Sequence, residues 1–207
     1  MSKAALDNAQ QTRKWRPSLL LGVALLIGAL LLVSTASATV VRFADTTRLI
    51  EISDVIVQGK VAGQNTYFDQ ERGFVVTDTT ISLSHVFFGK AEGRVTFSQW
   101  GGPYDDQIRF IPGDAQFEAD EEVVLFLRRG EDGDNRLYLS ALSQSKYKVY
   151  RTDAGQEFVS RDLSNLAFLI EEGGASRIDH VKERPVSVKS FHATLRSLIF
   201  GVKGGAQ

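Results

Sequence analysis

The sequence predicts a mainly β protein: a small closed or partly open β-barrel with a short N-terminal helix and an amphipathic C-terminal helix. Short segments rich in β-branched and aromatic residues follow one another between turn residues, which is typical of a barrel. Strands do not alternate with helices, so a parallel α/β sheet is not expected. Only the C-terminal segment has the 3.6-residue period of an amphipathic helix.

Residues 1–38 are predicted to be a signal peptide. Basic residues precede an uncharged run of 15 residues, Leu19 to Val33, and small residues ending in Ala38 follow it. This pattern fits a signal peptidase, so cleavage is expected between Ala38 and Thr39. The alternative is an uncleaved membrane anchor over about residues 19–41, because a spanning helix needs about 20 apolar residues. In both cases the basic flank stays inside and the body is exported. The expected location is therefore periplasmic or extracellular, or tethered to the outer side of the inner membrane.

The first half of the body predicts a helix followed by three strands. Residues 46–53 form a short helix with a threonine as its N-cap. Residues 54–61 form a strand in which Gly59 marks a bulge or bend. Residues 65–73 form a polar connection. Two further strands, each with one wet face, are expected at residues 74–87 and 94–100.

The second half predicts more strands and then the terminal helix. A long loop over residues 100–113 precedes Val123 to Leu127, five large apolar residues that indicate a strand covered on both faces. The barrel domain is expected to span residues 39–160, and residues 161–207 to form an extension with a helix at about 187–202. Additional strands are expected at residues 136–142, 146–151 and 156–160.

Composition and charge exclude several classes of function. The chain has no cysteine, which rules out disulfides, thiol catalysis and thiolate metal sites. Residues 39–207 carry 20 basic and 24 acidic side chains, and the acidic excess lies before residue 175. An acidic, exported body is a poor binder of nucleic acid. The basic C-terminal segment is expected to dock on this body, with anionic lipid as the alternative.

The order of motifs resembles a known family. A short helix leads into SDVIVQGKV, and then come HVFFGK, VTFSQ, FEADEEVVLFLRR and RLYLSALSQSKYKV. This order is similar to the netrin-type domain of tissue inhibitors of metalloproteinases. It is more similar still to a group of exported bacterial proteins of unassigned role. The resemblance covers about residues 40–149 and implies an OB-like β-barrel, the oligonucleotide/oligosaccharide-binding type.

The departures from that family limit what the resemblance implies. The metalloproteinase inhibitors place an N-terminal cysteine on the catalytic zinc, and disulfides hold it there. This chain begins its predicted mature form at Thr39 and has no cysteine. Inhibition by that mechanism is therefore not implied, although a protease-associated regulator stays an alternative function.

The candidate ligand-binding residues lie in two predicted loops. Trp100, Tyr104, Asp105 and Asp106 combine aromatic faces with polar groups, as a groove for a sugar or peptide does, and Tyr67 lies in the other loop. The alternative is that Trp100 caps the barrel while the acids lie in solvent.

No catalytic, cofactor-binding or metal-binding residue is predicted. The histidines His85, His180 and His192 lack the spacing of a zinc site, although His85 is expected to face the core. The predicted function is an exported, non-enzymatic binding or accessory domain of the cell envelope whose partner is a protein or a glycan. A hydrolase using Asp105, Asp106 or Asp114 is a further alternative.

Overall fold

The computed structural model describes residues 39–109, 111–131, 134–172 and 175–204. The predicted leader and Ala38 lie outside the described residues. The fold is mainly β, with a short helix near the N-terminus and a helix at the C-terminus, as predicted. The described strands are β1 (Thr39–Arg42), β2 (Val55–Asp69), β3 (Phe74–Phe88), β4 (Arg94–Trp100), β5 (Gly102–Tyr104), β6 (Gln107–Arg109), β7 (Glu122–Arg129), β8 (Leu137–Ser143), β9 (Lys146–Arg151), β10 (Glu157–Ser160), β11 (Leu166–Glu172), β12 (Ala175–Asp179) and β13 (Val186–Ser187). The helices are α1 (Thr46–Glu51) and α2 (Val188–Lys203).

Five strands form a partly open barrel. β2 pairs with β3 on one side and with β7 on the other, β3 pairs with β4, and β7 pairs with β8. β4 and β8 lie against each other but do not pair among the described residues. The barrel is therefore open along this seam. β9, β10 and β13 extend the same sheet beyond β7.

β2 and β3 form a long two-stranded ribbon that reaches past the barrel. The pairing runs from Ile56 opposite Phe88 to Asp69 opposite Phe74. The prediction of a polar connection over residues 65–73 is therefore wrong for residues 65–69, which are strand. The predicted irregularity at Gly59 is confirmed, because the register shifts between Gln58 and Gly59.

The segment after residue 160 contributes to a second sheet. β1 runs parallel to β11, with Thr39 opposite Leu166, and β11 pairs antiparallel with β12. A separate apolar cluster of Leu163, Leu166 and Phe168 lies with this sheet. Strand β11, which belongs to the region predicted as an extension, thus pairs with the first strand of the body.

Charged side chains join the two turns at the far end of the ribbon. Asp69 is buried and accepts from the Nη1 atoms of Arg72 and Arg136, both at 3.0 Å. Arg72 Nη2 also lies 3.1 Å from Asp134. Burial alone would raise the pKa of Asp69, but the hydrogen bonds from Arg72 and Arg136 outweigh it and the pKa is lowered. Asp69 therefore stays charged and holds the β2–β3 turn against the β7–β8 loop.

A buried arginine holds the chain around β1 and the β8–β9 turn together. Arg161 has no exposed side-chain surface and pairs with Glu183 through Nε at 2.8 Å and through Nη2. Its Nη1 donates to the carbonyl oxygens of Ala44 at 2.8 Å and Gln144 at 3.3 Å. The guanidinium also lies over the rings of two aromatic residues, Phe43 and Tyr147.

Helix α2 docks on the body through the apolar stripe that its sequence predicts. Phe191 and Leu195 are buried in a cluster with Ile56 and Phe126. Lys203 donates from Nζ to the carbonyl oxygen of Glu51 at 3.0 Å. The helix therefore covers the body mainly by apolar contact rather than by complementary charge. The helix begins at residue 188 instead of 187, with Ser187 as its N-cap.

The short N-terminal helix differs from the prediction in its cap. Asp45, not a threonine, is the N-cap of α1, and its carboxylate accepts from the backbone N–H of Arg48 at 2.7 Å. Asp is among the strongest N-cap residues, so the helix begins one residue after it.

We predict that Leu195→Ala lowers the free energy of unfolding by about 2–5 kcal/mol, because it leaves a cavity under α2. Phe200→Ala on the same helix is the matched control. Phe200 is 81% exposed, so its loss should change stability by less than about 0.5 kcal/mol. Urea unfolding of the two variants measures both values. Equal losses would contradict the described docking of α2.

Candidate functional site

The β5–β6 hairpin packs against the ribbon through two glycines. Gly101 and Gly102 follow Trp100 and have φ values of 89° and 123°, which favour glycine. A Cβ atom on Gly102 would lie 2.1 Å from Thr77 Oγ1, and one on Gly101 would lie 2.2 Å from the Arg109 carbonyl oxygen. The close approach of the hairpin to the ribbon therefore requires Gly102, and the contact with Arg109 within the hairpin requires Gly101.

A chain of hydroxyl groups connects the ribbon to the hairpin. Thr77 Oγ1 donates to the carbonyl oxygen of Gly101 at 2.6 Å. Thr66 Oγ1 and Thr77 Oγ1 lie 2.9 Å apart. Because the single hydroxyl proton of Thr77 goes to Gly101, Thr66 must be the donor of this second bond. The two threonines are thus oriented, and the oxygen of Thr66 keeps lone pairs to accept.

A cavity of about 260 Å³ lies between the hairpin, the inner face of the ribbon and the segment at residues 114–117. Its wall combines an apolar side with hydroxyl and carboxamide groups. Trp100 is 58% exposed and Ile108 is 79% exposed, so part of the apolar side meets solvent. The apolar residues of the wall are Trp100, Pro103, Ile108, Ile111 and Phe117.

The polar side of this cavity offers hydrogen-bond acceptors as well as donors. Gln64 Nε2 donates to Thr79 Oγ1 at 3.1 Å, and Gln99 Nε2 donates to the Ala115 carbonyl oxygen at 2.9 Å. The carboxamide oxygens of both glutamines are left to accept. A ligand with hydroxyl groups, which both donate and accept hydrogen bonds, therefore matches this wall.

Asp114 and Arg109 are the charged residues in the described part of this wall. The Asp114 carboxylate accepts from the backbone N–H of Ala115 at 2.9 Å. Burial raises the pKa of Asp114, although hydrogen bonds from Gln99 and Ala115 oppose the rise. A desolvated carboxylate in a cavity is a common feature of functional sites.

Only one of the predicted ligand-binding residues lines the cavity. Trp100 forms part of its rim and packs against Phe74, with ring centroids 5.2 Å apart. Tyr104 lies outside the wall, with its ring 6.2 Å from that of Phe68. Tyr67 also lies outside it and donates from its hydroxyl to Asp78 at 3.1 Å.

The adjacent acids Asp105 and Asp106 form the tip of the hairpin. Tyr104 pairs with Gln107, so the two acids are the central residues of a two-residue turn. Their φ values are 46° and 57°, the geometry of a type I′ turn, in which Asp is a favoured residue. Turn geometry alone accounts for both acids at these positions.

Sequence reasoning missed most of the cavity wall. Thr77 and Thr79 are polar residues among apolar ones on the inner face of a strand. This break in the apolar pattern was the available signal that Thr77 lines a polar cavity. Gln64 and Thr66 gave no such signal, because residues 62–69 do not have the composition of a strand. Gln99 precedes Trp100 on β4, and nothing local indicates its bond to Ala115.

The histidines come together differently from the prediction. Gln58 pairs with His85 and the next residue of β2, Gly59, pairs with Leu83, so β3 has one extra residue between these two pairs. This bulge reverses the alternation of side chains along β3. His85 is therefore exposed, with its ring 5.4 Å from that of His192. Among the described residues, no group of three or more His, Asp or Glu side chains could hold a metal ion.

Comparisons with protein-family models and with curated proteins gave no significant match for this chain. Within residues 39–204, as far as the structure describes them, no helix has the length and hydropathy needed to cross a membrane.

We predict that Gly102→Ala destabilises the protein and disrupts the cavity. The positive φ costs about 1–3 kcal/mol for a residue with a Cβ, and the contact with Thr77 adds to this. Gly63→Ala on β2 is the control, because a Cβ atom added there would meet no other atom within 4 Å, and it should change stability by less than about 1 kcal/mol. Thermal unfolding compares them. A Gly102→Ala variant as stable as the control would contradict the close packing of the hairpin.

Proposed function

We propose that this chain is an exported, non-enzymatic domain of the cell envelope that binds a glycan in the cavity beside Trp100. The observation that carries the proposal is the pairing of a partly exposed tryptophan face with a wall of hydroxyl and carboxamide groups. A sugar ring has an apolar C–H face and hydroxyl groups around its edge. The first matches Trp100, and the second matches the oxygens of Gln64, Thr66 and Gln99.

A glycan fits this wall better than a protein surface does. The hydroxyl and carboxamide groups of the cavity lie on strands and are already oriented by internal hydrogen bonds. Such preorganisation reduces the entropy lost when a small polar ligand binds.

The export part of the proposal rests on the leader sequence, and the fold is compatible with it. Thr39 is the first residue of β1 and lies opposite Leu166. Cleavage between Ala38 and Thr39 would therefore leave every described strand intact. The resemblance to the exported bacterial proteins supports the same location.

We predict that Trp100→Ala weakens glycan binding at least tenfold and lowers stability by about 1 kcal/mol or less, since the side chain is largely exposed. The purified full chain would be titrated calorimetrically with tetramers of glucose and of N-acetylglucosamine. Ile178→Ala, which removes another exposed apolar residue (64% exposed) outside the cavity, is the matched control. Unchanged binding by Trp100→Ala would show that the ligand does not use this cavity.

We predict that the chain, tagged at its C-terminus and expressed in a bacterial host, is recovered from the periplasm with Thr39 as its first residue. Intact-mass measurement after cell fractionation tests this. Ala38→Arg should block the cleavage, because signal peptidase requires a small residue there. A full-length wild-type chain in the membrane fraction would instead support the uncleaved anchor.

A further inference from the structure

A second cavity of about 230 Å³ adjoins the first across residues 114–116. Asp114, Ala115 and Gln116 belong to the walls of both cavities. Either cavity alone is smaller than the roughly 300 Å³ at which ligand sites usually begin. Together the two cavities reach that range, so they match one extended ligand better than two separate small ones.

The second cavity contains a hydrogen-bonding group without a partner. Ser143 lines it, and the hydroxyl oxygen of Ser143 is buried without a hydrogen-bond partner among the described residues. Leu142, just before it, has a φ of 52°, an unfavourable value for a leucine. Buried hydroxyls are normally satisfied, and strained backbone is concentrated at functional sites. This turn therefore has the features of a built binding site.

The lysines of the second cavity are already neutralised. Lys146 Nζ lies 2.7 Å from Glu121 Oε2, and Lys148 Nζ lies 3.4 Å from both Glu118 and Glu121. Lys146 also donates to the Gln116 carbonyl oxygen. These contacts leave little positive potential to attract an anion.

The remaining charges of the second cavity are negative. Asp114 and Asp162 belong to its wall and have no basic side chain within ion-pair distance among the described contacts. Four carboxylates thus face two ammonium groups around the cavity. The wall of the first cavity, by contrast, also includes the positively charged Arg109. A positive group on a ligand is therefore favoured in the second cavity rather than the first.

We infer that the glycan is an amino sugar chain with a free amine, and that the second cavity holds its ammonium group against Asp114. The inference rests on the proposed function, since the neighbouring sugar occupies the cavity beside Trp100. Asp114 lies in both walls and can accept from two consecutive sugar units. Ser143 contributes a hydroxyl that accepts from, or donates to, the amino sugar.

The test compares two tetramers that differ only at the amine: glucosamine tetramer and N-acetylglucosamine tetramer. Calorimetric titration of the purified full chain should show at least tenfold tighter binding of glucosamine tetramer at pH 7. Asp114→Asn should remove this preference, so that the variant binds the two tetramers with affinities within about threefold of each other. Asp105→Asn is the control for charge, because Asp105 lies at the hairpin tip outside both walls, and it should keep the preference.

The dependence on pH distinguishes a direct contact from a structural role. Because the pKa of Asp114 is raised, its carboxylate is protonated as the pH falls, before an ordinary aspartate near 3.8 is. Once the sugar amines are fully protonated, the preference of the wild-type chain for the glucosamine tetramer should therefore decrease as the pH falls further. Asp114→Asn should show no such change. Ser143→Ala should weaken binding of the glucosamine tetramer severalfold without changing the pH profile.

The possible failures of the two proposals differ. If both tetramers bind equally, the glycan site stands and the amine inference is overturned. If neither tetramer binds, the proposed function fails for these glycans and the inference fails with it. Tight binding of a tetralysine peptide in place of the sugars would show that the acidic cavity serves a basic peptide, and would overturn the assignment to an amino sugar.

Discussion

The buried guanidinium of Arg161 is the interaction on which the packing around the binding region depends most. It connects three segments that lie far apart in sequence: the segment between β1 and α1 through Ala44, the β8–β9 turn through Gln144, and the loop after β12 through Glu183. Gln144 in turn accepts from the Ala44 backbone N–H at 2.7 Å. Removal of one partner from a buried ion pair costs about 3–5 kcal/mol. In a chain without disulfides, this network supplies cross-links that an exported domain often obtains from cysteines. It also positions the turn that carries Ser143.

The open seam and the long ribbon explain why the cavities form where they do. A closed barrel would fill its interior with apolar side chains, as the cluster around Phe97 and Leu125 does here. The ribbon continues past that cluster, and its inner face has no strand of the barrel opposite it. The β5–β6 hairpin covers this face only partly, since its glycines bring its backbone close to Thr77. The polar inner face beyond the barrel is therefore lined by Gln64 and Thr66 and stays accessible.

Local patterns predicted the elements that local interactions form, and failed where pairing is distant. The apolar stripe of α2 and the alternation of β4 can be recognised from a short segment of sequence. The bounds of both elements were therefore predicted within one residue. β1 pairs with β11 across more than a hundred residues of sequence, and the local sequence of neither strand indicates which strand it pairs with. Residues 65–69 were predicted to be a connection but form strand, because β3 provides a complementary backbone edge. Of the candidate site, the sequence indicated Trp100 and Asp114. The polar wall depends on the part of the β2–β3 ribbon that the sequence did not predict.

The residues that make the cavities suited to a ligand also lower the stability of the folded chain. Among the described residues, Asp114 is desolvated without a cation to neutralise it in the second cavity, the hydroxyl of Ser143 is buried without a partner, and Leu142 has a strained backbone. Each feature raises the free energy of the folded state. Replacement by Asn, Ala and Gly respectively would relieve these costs, so selection for stability alone would not retain them. Under the proposed function, an occupant of the cavity would account for these three features together. A ligand with a positive group and hydrogen-bonding edges would satisfy Asp114 and Ser143 at once, and its binding would offset the cost of keeping them.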